Sequence, residues 1–104
     1  IEPGRATIEF EVLDAMCHSG GVAQGGFVAG WIDAAMAHAV MAQFGQDRVP
    51  ISLELKISYF APANPGRVLA EGWIEKAGGR TIFAEGRLTA PDGRVLAKAS
   101  STIS

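Results

Sequence analysis

Cysteine is almost missing: Cys17 stands alone in 104 residues. That excludes an internal disulfide framework and any multi-cysteine metal site, and it suits a reducing cytoplasm, the expected location. Charge of one sign is missing too. Nine basic side chains face 11 acidic ones, a net charge of -2, and the basic residues are scattered. A general attraction to nucleic acid or to an anionic membrane is therefore excluded. Charged residues make up only 19% and hydrophobic residues 48%, a balance that excludes intrinsic disorder. There is no phosphate-cradling glycine loop and no dinucleotide fingerprint. No set of His, Cys or acidic residues has metal-ligand spacing, so neither a metal nor a cofactor is expected. No basic-then-apolar leader opens the chain. It starts at Ile1 rather than Met, which leaves room for a longer natural N-terminus. The length fits one domain over residues 1–104 with one continuous core.

What is present is ordered simply. Residues 7–13 alternate, with Ile8, Phe10 and Val12 on one side and Thr7, Glu9 and Glu11 on the other, as in a half-buried strand. Residues 14–26 carry Ser19, Gly20, Gly21, Gly25 and Gly26 and read as a loop. From about Gly26 to Phe44, alanine and methionine predict a helix, with Gly45 as its stop. Apolar residues surround nearly its whole circumference, so it should be buried on most sides. Asp33 and His38 interrupt it, which argues against a membrane span. Strands follow at 51–60, 67–77, 80–90 and 94–103, read as a four-strand meander. Turns fall at Pro62–Gly66, Gly78-Gly79 and Pro91-Asp92-Gly93, and Gly72 marks a bulge or a close approach. One helix can bury most of its faces only if the sheet curls around it. The expected fold is α+β: a curved antiparallel sheet wrapped around one long central helix. Curling still leaves part of the helix and a sheet edge uncovered, so a second subunit is expected.

Asp33 is the informative residue, an acid between Ile32 and Ala34 on an apolar helix. An unpaired buried carboxylate costs several kcal/mol, so it either reaches solvent or serves in a pocket as base or nucleophile. Gly25 and Gly26 precede the helix, where backbone amides point outward and are partly positive. They could polarise a carbonyl oxygen or form a tight turn. His38 lies on a different helix face from Asp33 and reads as a core or interface histidine. Cys17 reads as a small buried residue. Trp31, Phe27, Met36, Phe60 and Phe83 are core, interface or pocket lining.

The segment Gln24-Gly25-Gly26-Phe27-Val28-Ala29-Gly30-Trp31-Ile32-Asp33 resembles the His-Gly-Gly, six residues, Asp motif of the phenylacetate-degradation (PaaI-type) and 4-hydroxybenzoyl-CoA-like acyl-CoA thioesterases, which have the hotdog fold. The strand closing on Pro62-Ala63, the Gly79-Arg80 turn and the Pro91–Ala97 hairpin are similar to later parts of that family, so the likeness runs from about residue 7 onward. It implies hydrolysis of an acyl- or aryl-CoA to free acid and coenzyme A, with coenzyme A entering as part of the substrate. Asp33 takes the place of the family's catalytic carboxylate and Gly25 that of its oxyanion glycine. Gln24 stands where many relatives have histidine. It can hydrogen-bond but not titrate near neutral pH, which leaves it, with Gly26, a substrate-binding role. His18 stands where relatives commonly have Asn or Gln and would position the carbonyl or water, or protonate the leaving thiolate. Ser52 would hold the attacking water. Arg80, and less directly Lys76 and Arg67, would meet coenzyme A phosphates. In relatives the site forms between two subunits, which implies a homodimer or a dimer of dimers. Two other classes stay open: a non-catalytic acyl-CoA-binding module, and a hotdog enoyl-thioester hydratase or dehydratase using His18 with an acid.

Overall fold

The structure, a computed structural model, describes residues 3–17, 21–45 and 50–104. Strand β1 (Arg5–Val12) leads through a short 3-10 turn (Asp14–Met16) to helix α1 (Gly25–Phe44). Strands β2 (Ser52–Tyr59), β3 (Gly66–Ala77), β4 (Ile82–Thr89) and β5 (Val95–Ile103) follow. These elements match the periodicities closely. In β1, Val12 is buried and Ile8 and Phe10 are half-buried, while Thr7, Glu9 and Glu11 are exposed. Helix α1 stops where Gly45 adopts a φ of 92° and its amide donates to the Met41 carbonyl, a left-handed geometry that favours glycine.

The strands form one antiparallel sheet in the order β1-β3-β4-β5-β2. This corrects the expected four-strand meander. Only β3, β4 and β5 run as neighbours in chain order, whereas β2 leaves the helix to pair with β5 at the far edge. The reason lies in the connections. Gly78-Gly79 and Pro91-Asp92-Gly93 turn tightly, with Gly78 N–H donating to the Thr81 carbonyl and Gly93 N–H to the Ala90 carbonyl. The stretch Phe60–Pro65 carries two prolines and does not turn back. Its Phe60 and Ala61 amides both donate to the Leu96 carbonyl, and the Ala63 carbonyl accepts from Ala23 N–H.

Helix α1 lies across the sheet's inner face. Its residues Val28, Trp31, Ile32, Ala35, Met36, Ala39 and Val40 are buried, three and four apart, as a single packed helix face requires. They meet Val68, Ala70, Ile82, Ala84, Leu88, Leu96, Ala97 and Ile103. The helix comes close because two cross-strand partners, Gly72 and Gly86, have no side chains. A Cβ on Gly72 would lie 2.5 Å from the Ala35 carbonyl carbon, and one on Gly86 2.5 Å from Ile32 Cγ2. Gly72 is therefore a close-approach point, and the register shift of β3 falls later, between Ile74 and Lys76. By length and composition α1 could cross a bilayer, but its buried face is the core of this sheet. The opposite face is open: Gly30 and His38 are exposed and Ala34, Ala37 and Met41 only half-buried. The described residues thus bury one face of the helix, not most of its circumference, because none of them forms a second layer.

The outer sheet face is polar. Glu71 accepts from Arg87 Nε at 2.9 Å and Arg5 at 3.4 Å, and both guanidiniums stand over the Trp73 ring. The β2 edge differs. Ile51, Leu53, Leu55, Tyr59 and Phe60 are 37–62% exposed, along a strand whose outer edge no strand among the described residues covers.

Candidate active site

Asp33 lies on the flank of α1 that faces β2. Ser52 Oγ donates to Asp33 Oδ1 at 2.7 Å, a length typical of a hydroxyl on a carboxylate. From strict alternation, Ser52 belongs on the polar side of β2, away from the helix. The pairing register shifts between Ser52 and Glu54, and that irregularity turns Ser52 to the helix side, since one extra residue reverses side-chain parity. Ser101 Oγ donates to the Glu54 carbonyl at 2.8 Å and fastens the same place. The carboxylate is half-buried, and among the described residues Oδ2 has no hydrogen-bond partner.

A second group lies at the helix N-terminus. The described residues just before it are tied down: Cys17 and Ala23 form an isolated bridge, Gln24 N–H donates to the Met16 carbonyl and Ala23 N–H to the Ala63 carbonyl. The Gln24 carbonyl accepts the first helical bonds, from Phe27 and Val28. That leaves the Gly25 and Gly26 amides without a partner among the described residues, as the first amides of a helix are. The Gln24 side chain makes no capping bond and is exposed, so it is free to meet a ligand. These glycines border a cleft of about 520 Å³ with Val22, Ala23, Val28, Tyr59, Phe60, Ala61, Pro62 and Ala63. Its walls are mostly apolar, the usual character of a small-molecule site.

The two groups do not meet within one chain. Gly25 and Asp33 are eight residues apart on one helix, which places them about 12 Å apart along its axis and about 80° around it. Arg80 is exposed in the turn between β3 and β4. The register Ala77, Ile82, Ile103, Ser52 sets that turn at the Ser52 end of the sheet, and Arg80 makes no ion pair among the described residues. Arg67 instead pairs with Glu9 at 3.3 Å on the surface. His18 lies outside the described residues, as do Ser19 and Gly20 of the same loop.

His38 is exposed on the helix, with Nδ1 donating to its own Ala34 carbonyl at 2.8 Å, so it does not belong to the core. Cys17 is half-buried, with Sγ 3.6 Å from the Leu13 carbonyl. Trp31 stacks on Phe10 at 5.7 Å and Met36 is fully buried, so both are core. Phe60 lines the cleft, and Phe83 faces outward at 46% exposure. The residue that sequence reasoning missed is Tyr59, the only tyrosine. Alternation placed it on the side of Ile57 but gave no sign that its hydroxyl reaches the glycine turn, where it donates to the Gly25 carbonyl at 2.9 Å.

Known proteins share this fold. A conserved protein of Pseudomonas aeruginosa superposes with a TM-score of 0.92 at 27% identity, over 98% of this chain and 81% of its own. A phenylacetic acid degradation-related protein of Ralstonia eutropha JMP134 gives 0.89 at 26%, over 96% and 75%. A Streptococcus mutans UA159 protein, solved bound to acetyl-CoA, gives 0.90 at 22%, over 98% and 81%, a likeness of fold. No curated protein matches. The family model of the thioesterase superfamily matches residues 20–97, a span running from the glycine turn through Asp33 and Ser52 into β5. With its sheet curled on one helix in the hotdog fold, the chain belongs to the thioesterase superfamily.

Proposed function

We propose that this protein hydrolyses an acyl- or aryl-CoA thioester to the free acid and coenzyme A. The observation that carries the reading is the Asp33 carboxylate on an otherwise apolar helix, oriented by Ser52 through one oxygen and open at the other. Asp33 takes a proton from water as the water oxygen attacks the thioester carbonyl carbon. Negative charge gathers on the former carbonyl oxygen, where free amides at a helix N-terminus stabilise it. The C–S bond then breaks, and the proton held by Asp33 goes to the leaving thiolate. Arg80 and the Gln24 side chain contribute to binding of the substrate, and the scheme needs no metal or other cofactor. Acetyl-CoA in the Streptococcus mutans relative supports coenzyme A as the carrier.

The separation of Asp33 from Gly25 on one helix supports a site shared between two subunits. The uncovered β2 edge, with its exposed Leu53, Leu55 and Tyr59, is a surface that a soluble protein seldom leaves open. We infer that two copies pair along β2, joining two five-stranded sheets and bringing the carboxylate of one subunit to the glycine turn of the other. The test is thiol release from short, medium and aromatic acyl-CoAs, with Asp33→Asn alongside. Turnover of one class, and a loss of at least about a hundredfold in the variant, are expected for removal of a catalytic base. Binding of acyl-CoA with no thiol released by either protein would make this a binding module instead. Single-turnover hydrolysis in heavy-oxygen water checks the base role: label found in Asp33 would mean that the carboxylate attacks the substrate itself.

A further inference from the structure

Among the described residues two polar side chains are buried, and one of them is Ser101 on β5, 5% exposed. The mechanism above makes no use of it. Its hydroxyl reaches out of its own strand: Oγ donates at 2.8 Å to the carbonyl of Glu54 on β2. Glu54 stands at the register shift between β2 and β5.

That shift decides which way Ser52 points. From Tyr59 back to Glu54 the pairing is regular: Tyr59 meets Ala97, Ile57 meets Ala99, Leu55 meets Ser101 and Glu54 meets Thr102. Regular pairing would continue with Leu53 opposite Ile103. Instead Leu53 is passed over and Ser52 stands opposite Ile103. Ile103 is 1% exposed, in the core. Residues directly opposite in an antiparallel pair share a face, so Ser52 lies on the inner face and meets Asp33. Just beyond, Ile51 and Ser104 exchange both backbone bonds, at 3.2 and 2.9 Å. A bulge of this kind disrupts the ladder locally. Among the described residues, the side-chain bond that crosses to it comes from Ser101.

We propose that Ser101 is a positioning residue for the hydrolysis. Its hydroxyl holds the bulge in the register that turns Ser52 toward Asp33, so it acts on the reacting carboxylate through Ser52. The proposal rests on the thioesterase reading above and deepens it, because it sets a buried residue of the neighbouring strand behind the Ser52–Asp33 pair.

The test is a double-mutant cycle of Ser101→Ala with Ser52→Ala, and two readouts are taken. One is steady-state thiol release. The other is the NMR signal of the Asp33 carboxyl carbon in protein labelled with carbon-13 at aspartate Cγ, assigned by its loss in Asp33→Asn. Alone, Ser101→Ala should lower kcat about three- to tenfold, the effect of one neutral hydrogen bond, with KM changed less than about twofold. In the Ser52→Ala background the same substitution should change kcat by less than about twofold, since the residue it acts through is gone. The Asp33 signal should move in Ser101→Ala in the direction that Ser52→Ala moves it. If Ser101→Ala does not fold, Ser101→Cys, a close match in shape with a weaker donor, takes its place with the same expectations. Equal losses in both backgrounds, or an unchanged kcat with an unmoved Asp33 signal, overturn the proposal and leave the thioesterase reading standing. A wild type that releases no thiol removes the hydrolase reading instead. The Asp33 signal then decides alone: movement in Ser101→Ala keeps the link through Ser52, and no movement ends it.

Discussion

Helix α1 has two working sides, and they are built to opposite rules. On the sheet side, side chains are removed to let backbones touch: Gly72 and Gly86 face Ala35, Met36 and Ile32 with no room for a methyl group. Ile32 and Met36 are fully buried there. On the β2 side and at its N-terminus, the helix leaves polar groups without partners among the described residues: one oxygen of Asp33, and the amides of Gly25 and Gly26. The contrast separates close packing from unpaired polar groups along a single element. The dense side holds the helix rigid, and rigidity is what lets the other side present groups at fixed positions.

That separation can be broken or sharpened by substitution. The largest effect is expected from Gly72→Ala. Its methyl group would press on helix backbone, which cannot step aside, and overpacking of this kind costs about 1–3 kcal/mol or more. Thermal melting should show a fall in Tm of roughly 10 °C or more. A melting curve within a degree of wild type would mean that the helix does not rest on this glycine.

Ser52→Ala should behave in the opposite way. It removes the donor to Asp33 and leaves the core intact. Thiol release should fall roughly ten- to hundredfold, as for the loss of a hydrogen bond to a charged group, with Tm nearly unchanged. If Tm drops and activity per folded molecule holds, the serine is structural and the division of the helix into two sides is wrong.

The smallest effect is expected at a place that belongs to neither side. Asp92, in the turn between β4 and β5, accepts from the Arg94 N–H and Nε, both at 3.0 Å. The Arg94 backbone bond, ahead of the guanidinium, holds its carboxyl below the ordinary value of 3.8. A lowered carboxyl contributes stability above the unfolded value, and that contribution is lost as pH falls through the folded one. Asp92→Asn should therefore melt slightly below wild type at neutral pH, by less than about 2 °C, and that small difference should vanish as pH falls below about 4. A large change at neutral pH would show that the hairpin matters more to the fold than its exposure indicates.

Much of this was legible in the sequence. Five strands and one helix follow from periodicity and glycine punctuation, and Asp33 stands out because a carboxylate does not belong on an apolar helix. Gly72, inside a strand, reads as a bulge or a close approach, and the packing decides for the close approach. The rest depended on relations between distant segments. Nothing local says that β2 pairs with β5 rather than β3, because strand order is settled by which hydrophobic faces the whole sheet can cover. Strict alternation sets Ser52 on the wrong side, since a single irregularity in pairing reverses parity and leaves no mark in composition. The reach of Tyr59 to the Gly25 carbonyl spans 34 residues and exists only once helix and edge strand are docked. That part of α1 and one sheet edge stay uncovered is legible in the sequence, but which strand lies at that edge is not.

The central claim is that each site is shared, with Asp33 from one subunit and the glycine turn from the other. Subunit complementation tests it most directly. Asp33→Asn and Gly26→Val are each prepared as inactive homodimers, then unfolded, mixed in equal amounts and refolded together. If sites are shared, a mixed dimer holds one site with both defects and one with neither, and the mixture should recover about a quarter of wild-type activity by random pairing of symmetric dimers. If every site lies within one chain, each site keeps a defect, and activity would stay at the level of the separate variants, which would contradict the account.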